Sequence, residues 1–335
     1  DRLRSRGLGD VYKRQLMDTP EDTIAGSALY LRIMFVGMVP NMVYNVGSAI
    51  LRAMGDSKRP LYFLIVACLS NVVLDLVFVL VFKMGIAGVA IASILAQAIS
   101  AVMVVMSLSA ESMEYRFRFR QMRFEGDILS RTIRIGLPAG FQSIMYSLSN
   151  MLIQASVNRF GTDTVASWVV LGKVDGINWM ILGALGIASM TFVGQNYGAG
   201  RLDRIQKSLK LSLLIGVCIS IVFGGALLLF GWPLFGLFTS DDTVLAMSMQ
   251  LLWYFAPFYW MFVPIEIISG ALRGMGDTLI PTIITATGIC VFRVAWIYTV
   301  VPLHNSMFTV SLSYPISWVL TAIAFAIYYM IARKK

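Results

Sequence analysis

Two oxygen-bearing side chains, Asn71 and Asp75, lie four residues apart within an apolar segment. Residues at this spacing share one face of a helix, so their oxygen atoms can converge on one point. Such oxygen atoms are ligands for a hard cation, and a carboxylate can carry a proton instead. The pair therefore predicts a cation or proton site, with a polar pair that bonds a neighbouring helix as the alternative.

Five further polar side chains stand in apolar segments and are candidate substrate-cleft residues: Asp175, Asn178, Glu266, Gln142 and Arg293. A charge in such a segment is costly unless it is paired or hydrated, so it indicates a function. Asp175 is interpreted either as an anion that faces a substrate or as the partner of Arg293. Glu266 either lines an inner cleft or remains an interfacial carboxylate. Gln142 either lines the cleft or hydrogen-bonds across helices.

The composition is that of a membrane protein. Of the 335 residues, 58% are hydrophobic and 13% are charged, against about 45–50% and about 25% in soluble proteins. In a membrane protein a net charge of +9 mostly reflects how the chain is oriented in the membrane, so no nucleic-acid partner is expected. A single histidine, His304, and three distant cysteines leave no set for a catalytic triad or a metal cluster. Neither an enzyme nor a cofactor is therefore expected.

Nine segments are long and apolar enough to cross a bilayer, whose core of about 30 Å needs roughly 20 apolar residues of helix. They cover about residues 28–50, 60–83, 87–109, 131–157, 164–191, 209–231, 244–270, 279–301 and 307–332. The sequence thus predicts an all-α polytopic membrane protein.

Basic residues differ between alternate connecting loops. One set of loops carries them at 52–59, 116–134, 201–210, 273 and 333–335, whereas the opposite set holds only Lys83 and Arg159. By the positive-inside rule, the first set of loops and the C-terminus are expected to be cytoplasmic.

An internal repeat predicts the architecture. Residues 51–60 read LRAMGDSKRP, and residues 272–281 read LRGMGDTLIP. Both copies end a predicted helix at a cytoplasmic turn, so the repeat is parallel. One repeat length spans six of the nine predicted helices, which indicates a parent fold of two six-helix lobes.

The repeat also predicts the domain organisation. We expect a non-native or disordered basic leader at 1–15, the remainder of a first lobe at 16–110, a cytoplasmic linker at 111–130 and a second lobe at 131–335. On this interpretation three helices of the first lobe precede the linker, and the chain is N-terminally truncated.

Several motifs, taken in order, resemble the multidrug and toxic compound extrusion (MATE) family. They are the two repeated turns, NVVLD at 71–75, GIAGVAIAS at 85–93, RIGLPAG at 134–140 and GQNYGAG at 194–200. The resemblance covers residues 16–335 and implies a twelve-helix, two-lobe fold, of which this sequence holds the fourth to the twelfth helix. It also implies a cation or proton site in which Asn71 and Asp75 match the family pattern and Ser93 replaces a threonine. A further family Asp, on the first helix, would lie outside this sequence.

The resemblance implies a secondary active transporter in the inner (plasma) membrane. It would export small organic compounds, cationic or amphipathic, in exchange for Na⁺ or H⁺. The protein is expected to be a monomer surrounded by the lipid bilayer. Apart from a Na⁺ at Asp75, no metal is expected. Two alternatives stay open: a flippase for lipid-linked precursors from the same superfamily, and an inactive truncated fragment.

Overall fold

The computed structural model describes residues 21–110, 117–121, 123 and 125–332. The predicted leader at 1–15 lies outside the described residues, as do parts of the predicted linker and the last three residues. The described residues form helices and connecting turns, without strands. The chain divides into two compact units, and the boundary falls after Arg123, within the predicted linker.

The first unit contains three long helices: α1 (Glu21–Ala53), α2 (Lys58–Leu76) and α3 (Gly85–Ser109). A π-helical turn, Val77–Val81, extends α2. Helix α3 packs against both α1 and α2. Its buried residues include the small side chains Ala90, Ala92 and Ala96, which permit this close packing.

The second unit contains eight α-helices: α4 (Gly126–Val157), α5 (Thr162–Gly198), α6 (Leu202–Phe235), α7 (Asp242–Phe255), α8 (Val263–Gly274), α9 (Leu279–Thr285), α10 (Phe292–Thr299) and α11 (Met307–Ala332). A 3₁₀ helix, Ala256–Met261, joins α7 to α8, and a π-helix, Ala286–Val291, joins α9 to α10. The core lies mainly among α5, α6, α7, α8 and α11, where Trp318, Tyr259 and Phe235 are fully buried.

Eight helical spans of the described residues are long and apolar enough to cross a membrane. Helices α7 and α8 count as one of these spans, and α9 and α10 as another. The eight coincide with eight of the nine predicted segments. The ninth, 131–157, is helical as part of α4 but is not among the spans, because polar residues such as Gln142, Asn150 and Gln154 lower its hydropathy.

The outer surface of these helices is apolar. Large hydrophobic side chains are widely exposed on both units, such as Val81 (70% exposed) in the first and Leu229 (79%) in the second. Contiguous exposed apolar surface on helices of this length requires an apolar solvent, which a bilayer supplies. The chain is therefore a multi-pass membrane protein.

The two repeated turns have the same backbone geometry. Gly55 and Gly276 have φ angles of 90° and 91°, which are left-handed conformations that favour glycine. The backbone N–H groups of Asp56 and Asp277 each donate to the carbonyl five residues earlier, at 2.9 Å and 3.0 Å. The side chains then differ. Asp56 accepts hydrogen bonds from the first backbone N–H groups of α2, whereas Asp277 accepts one from the hydroxyl of Tyr328.

Helices α5 and α8 meet along glycines. A Cβ atom added at Gly270 would lie 2.4 Å from the carbonyl oxygen of Gly186, and one added at Gly274 would lie 2.4 Å from the carbonyl oxygen of Met190. The two backbones are therefore in direct contact. We call this contact the α5–α8 glycine seam.

Candidate functional site

The second unit contains a cavity of about 440 Å³ between its helices. We call it the second-unit cavity. Its lining comes from α4, α5, α10, α11 and the α7–α8 span: Tyr146, Asn150, Ile153, Gln154, Trp168, Leu171, Gly172, Asp175, Trp179, Phe255, Phe262, Glu266, Arg293, Tyr314 and Trp318. A volume of this size falls in the range of sites for small organic molecules.

Seven of the fifteen residues that line the cavity are aromatic. Trp179 meets Phe262 edge to face, with ring centroids 4.8 Å apart and an interplanar angle of 83°. It also meets Trp318 at 5.7 Å, and Trp168 meets Tyr314 at 5.9 Å. Edge-to-face contacts of this kind stabilise aromatic clusters and hold the rings in fixed orientations. The wall is therefore a rigid aromatic surface.

The break between α7 and α8 places one of the buried tyrosines beside this cavity. Pro257 lies at the start of the 3₁₀ helix and Pro264 at the start of α8, and proline is favoured at such first positions because it lacks a backbone N–H. The fully buried Tyr259 lies within the 3₁₀ helix. Its hydroxyl donates a hydrogen bond to a carboxylate oxygen of Asp175 on α5.

Asp175 lines the cavity and is 9% exposed. An ionised carboxylate in such surroundings needs donors to offset its lost hydration, and Tyr259 supplies one. The structure shows no ion pair between Asp175 and Arg293, although both line the cavity. Their predicted pairing is therefore not the arrangement seen.

Arg293 is the second residue of α10, directly after the π-helix, and is 4% exposed. Its Nε donates to the hydroxyl of Ser317 at 2.9 Å. The guanidinium carbon lies 3.9 Å from the ring centroid of Tyr314 and 6.0 Å from that of Trp318. Arg293 is thus held by a hydroxyl along one edge and by aromatic rings across one face.

Glu266 also lines the cavity, on α8. Its Oε2 lies only 2.9 Å from where a Cβ atom at Gly186 would be. The Glu266 carboxylate therefore lies where any side chain at position 186 larger than the hydrogen of glycine would be. Glu266 is thus among the residues that line the second-unit cavity.

Two predicted cleft residues are not brought to the cavity lining. Asn178 is fully buried in α5, and its side-chain oxygen and nitrogen have no hydrogen-bond partner in the described part of the chain. Gln142 is 8% exposed, and its side-chain oxygen accepts a hydrogen bond from Thr282 on α9 at 3.4 Å. Gln142 therefore joins two helices.

Asn71 and Ser93 line a separate cavity of about 380 Å³ in the first unit, together with Asn41, Asn45 and Gln97. Sequence reasoning did not select these last three residues. Asn41 and Asn45 could have been found from their four-residue spacing in an apolar helix. Their side chains are hydrogen-bonded to each other at 2.6 Å.

Asp75 is not among the residues that line this first-unit cavity. One of its carboxylate oxygens, Oδ1, is buried and has no hydrogen-bond partner among the described residues, and the same holds for Nδ2 of Asn71. The structure thus brings Asn71 and Ser93 to one cavity and leaves polar atoms of Asn71 and Asp75 unsatisfied.

Fold and cavities together define a polytopic helical membrane protein with polar and aromatic internal sites. The MatE family model matches residues 14–77 and 138–299, more than half of the chain. The chain therefore belongs to the MATE family, and the resemblance seen in its motifs is confirmed. Because this is a family of transporters, the prediction that the chain is not an enzyme is also confirmed.

Two similar curated proteins come from Bacillus subtilis. The probable multidrug resistance protein YoeA is 30% identical over 282 residues, which cover 81% of this chain and 60% of YoeA. The probable multidrug resistance protein YpnP is 30% identical over 266 residues, which cover 79% of this chain and 59% of YpnP. The chain thus spans about 60% of the length of these relatives.

A solved structure of a MOP superfamily transporter from Pyrococcus furiosus has the same fold. It superposes with a TM-score of 0.89 at 19% identity, over 96% of this chain and 73% of the other.

Proposed function

We propose that this chain acts in a secondary active transporter that exports organic compounds, cationic or amphipathic, in exchange for Na⁺ or H⁺. Two lobes would give alternating access to the two sides of the membrane. The remainder of the first lobe would comprise residues 16–110 and the second lobe residues 131–335. The observation that carries the proposal is the second-unit cavity, with its aromatic wall and its buried charges, in a member of the MATE family.

The cavity suits an organic compound for two reasons. Its aromatic rings offer flat apolar surface, and ring faces attract organic cations. The carboxylates of Asp175 and Glu266 line the same space, so they add attraction for a positive group. Hydrocarbon around the helices strengthens both effects, because it screens charge far less than water.

Coupling to an ion is assigned to Asn71, Asp75 and Ser93 in the first unit. The support is that Asn71 and Ser93 line one cavity and that an oxygen of Asp75 is buried without a partner among the described residues. Such a carboxylate is stabilised when it binds a cation or a proton. The exchange ion would therefore be Na⁺ or H⁺, and no other cofactor is required.

The proposed location is the inner (plasma) membrane, with the protein as a monomer in the lipid bilayer. Support for a cytoplasmic C-terminus comes from the basic residues. Arg52, Arg201 and Arg273 belong to the set of alternate loops that is rich in basic residues, and the C-terminus belongs to the same set.

The test uses the complete protein, expressed from its natural gene in bacteria that lack their own multidrug exporters. We expect it to lower the accumulation of ethidium, a fluorescent organic cation. Asp175→Asn should weaken this effect, whereas Asp163→Asn, an exposed acid in the first turn of α5, should leave it unchanged. Equal accumulation with and without the protein, for ethidium and for a panel of amphipathic dyes, would contradict the proposal.

The exchange ion is measured with the purified protein in liposomes. Dye transport is followed under an imposed Na⁺ gradient and, separately, under an imposed pH gradient. Transport that follows either gradient supports the proposal and identifies the ion. Transport that persists with neither gradient would exclude antiport.

A further inference from the structure

The start of α6 carries a cluster of exposed basic side chains. Arg204, Lys207 and Lys210 lie within its first three turns, after Arg201 at the N-cap position. Arg201 forms an ion pair with Asp203, at 3.3 Å between Nε and Oδ1. The other three cations have no carboxylate partner in the described part of the chain. We call Arg204, Lys207 and Lys210 the α6 basic cluster.

An exposed apolar stripe continues from this cluster along the same face of α6. Steps of three, four or seven residues return to one face of a helix, and the step from Lys207 to Leu211 is one of four. The stripe consists of Leu211, Leu214, Cys218, Val222 and Leu229. From Leu211 to Leu229 the helix rises about 27 Å, which nearly spans the hydrocarbon core of about 30 Å. The α6 basic cluster therefore lies at the depth of the lipid headgroups.

The two parts of this face match the two parts of a phospholipid. Guanidinium and ammonium groups donate charge-assisted hydrogen bonds to phosphate oxygens. The positive end of the α6 dipole lies at the same end of the helix and adds to the attraction. Acyl chains can pack on the exposed apolar side chains that follow. A soluble anion would use only the basic cluster, and a lipid without net charge would use mainly the stripe.

We propose that this face of α6 is a binding site for an anionic phospholipid of the surrounding bilayer. The phosphate binds the α6 basic cluster, and an acyl chain lies along Leu211 and Leu214. Basic side chains next to a membrane attract lipids with a net negative charge. None of these residues lines the second-unit cavity, so the lipid site is separate from the proposed substrate site.

The test compares two phospholipids with identical acyl chains. Phosphatidylglycerol has a net negative charge, whereas the choline cation of phosphatidylcholine cancels the charge of its phosphate. Native mass spectrometry of the complete purified protein, released from detergent micelles, measures the binding of each lipid. We expect phosphatidylglycerol to bind about fivefold or more tightly, which is the effect that one basic residue near an anionic surface provides.

A triple variant, Arg204→Gln, Lys207→Gln, Lys210→Gln, removes the charges of the α6 basic cluster together. We expect it to bind phosphatidylglycerol no more tightly than phosphatidylcholine, because both lipids then have only the apolar stripe in common. Its affinity for phosphatidylcholine should stay near the wild-type value. The three side chains are exposed and lie outside the hydrophobic core of the second unit, so the variant should keep the fold.

The matched control, Lys83→Gln, Arg159→Gln, Lys173→Gln, removes three exposed cations that lie elsewhere in the described chain. Both triple variants have the same net charge, so they differ only in where the charges are removed. The control should keep the wild-type preference for phosphatidylglycerol. A preference lost to the same extent in both variants would show a response to net charge and would overturn the site.

Three further outcomes would also overturn the inference. They are equal affinities of the wild type for the two lipids, a preference that survives in the cluster variant, and binding of free glycerol phosphate as tightly as phosphatidylglycerol. The last result would indicate a site for soluble phosphates instead of a lipid. Should the cluster variant not fold, a phosphatidylglycerol with a photoreactive diazirine on its acyl chain is cross-linked to the wild type. Cross-links on α6 would support the site, and cross-links confined to other helices would overturn it. Neither result bears on the proposed export, because no dye and no ion gradient enters the measurement.

Discussion

The hydroxyl of Tyr259 donates a hydrogen bond to the carboxylate of Asp175, and both side chains are buried. The bond joins the 3₁₀ helix between α7 and α8 to the middle of α5. It therefore fixes the break in one membrane span against the helix that carries five of the residues lining the cavity, among them Asp175 and Trp179.

Replacing Tyr259 by Phe should destabilise the protein without disturbing the aromatic wall. The ring stays, including its contact with Trp179 at 6.4 Å, but the buried carboxylate loses its donor. We expect a loss of about 1–3 kcal/mol, measured as a lower thermal unfolding temperature of the purified protein. Because the two side chains interact directly, Tyr259→Phe combined with Asp175→Asn should cost less than the sum of the single changes. A strictly additive pair would show that the bond contributes nothing.

Gly270→Ala should prevent stable packing of α5 against α8. The new Cβ would lie 2.4 Å from the carbonyl oxygen of Gly186, and a backbone atom cannot move away as a flexible side chain can. We expect size-exclusion chromatography of the detergent-solubilised variant to yield little monodisperse protein. Gly183→Ala is the control, since a Cβ at this position of α5 has no neighbour within 4 Å. Equal yields for the two variants would contradict the close contact.

Asp75→Asn should abolish ion-driven export while expression stays near the wild-type level. The substitution keeps the shape of the side chain but removes the charge that a cation or proton would neutralise. Efflux is measured in liposomes under imposed gradients. Asp56→Asn serves as the control, because an asparagine can still accept the hydrogen bonds at the start of α2. Export with an unchanged ion dependence in Asp75→Asn would assign this carboxylate a structural role only.

Trp179→Ala should weaken the binding of aromatic dyes about three- to tenfold. Trp179 is the ring that contacts Phe262, Trp318 and Tyr259, so its loss removes binding surface and loosens the orientation of the neighbouring rings. Affinity is read by anisotropy titration. Trp253→Ala on α7 offers the comparison, because Trp253 is 58% exposed and outside the cavity lining. Equal effects of the two substitutions would argue against an aromatic binding wall.

The helices could be predicted from the sequence because length and hydropathy alone decide whether a segment can lie in a bilayer. Helix α4 is the informative exception. Its amides Gln142, Asn150 and Gln154 make it too polar to qualify as a span by hydropathy, and two of them, Asn150 and Gln154, line the cavity. A helix that shields polar residues inside the protein need not be apolar all round.

The composition of the cavity wall could not be predicted in the same way. Trp179, Phe262 and Trp318 come from three membrane spans, and an aromatic residue that faces lipid has the same hydropathy as one that faces a cavity. For polar residues too, the sequence does not tell which ones face the cavity, as Asp175 and Asn178 illustrate. They differ by about 60° around the helix axis, and only the rotation of α5 in the packed unit decides that Asp175 lines the cavity.

The α5–α8 glycine seam influences the spacing of two acidic residues of the second-unit cavity. Asp175 lies on α5 and Glu266 on α8, and the two helix backbones touch at Gly186 and Gly270 without side chains between them. Because no side chain separates the two backbones there, the seam sets the distance between the helix axes at their closest approach. The spacing of the backbones that carry Asp175 and Glu266 therefore depends on the two glycines. We expect a larger residue at either glycine to move the two carboxylates apart and to change which cationic groups fit between them.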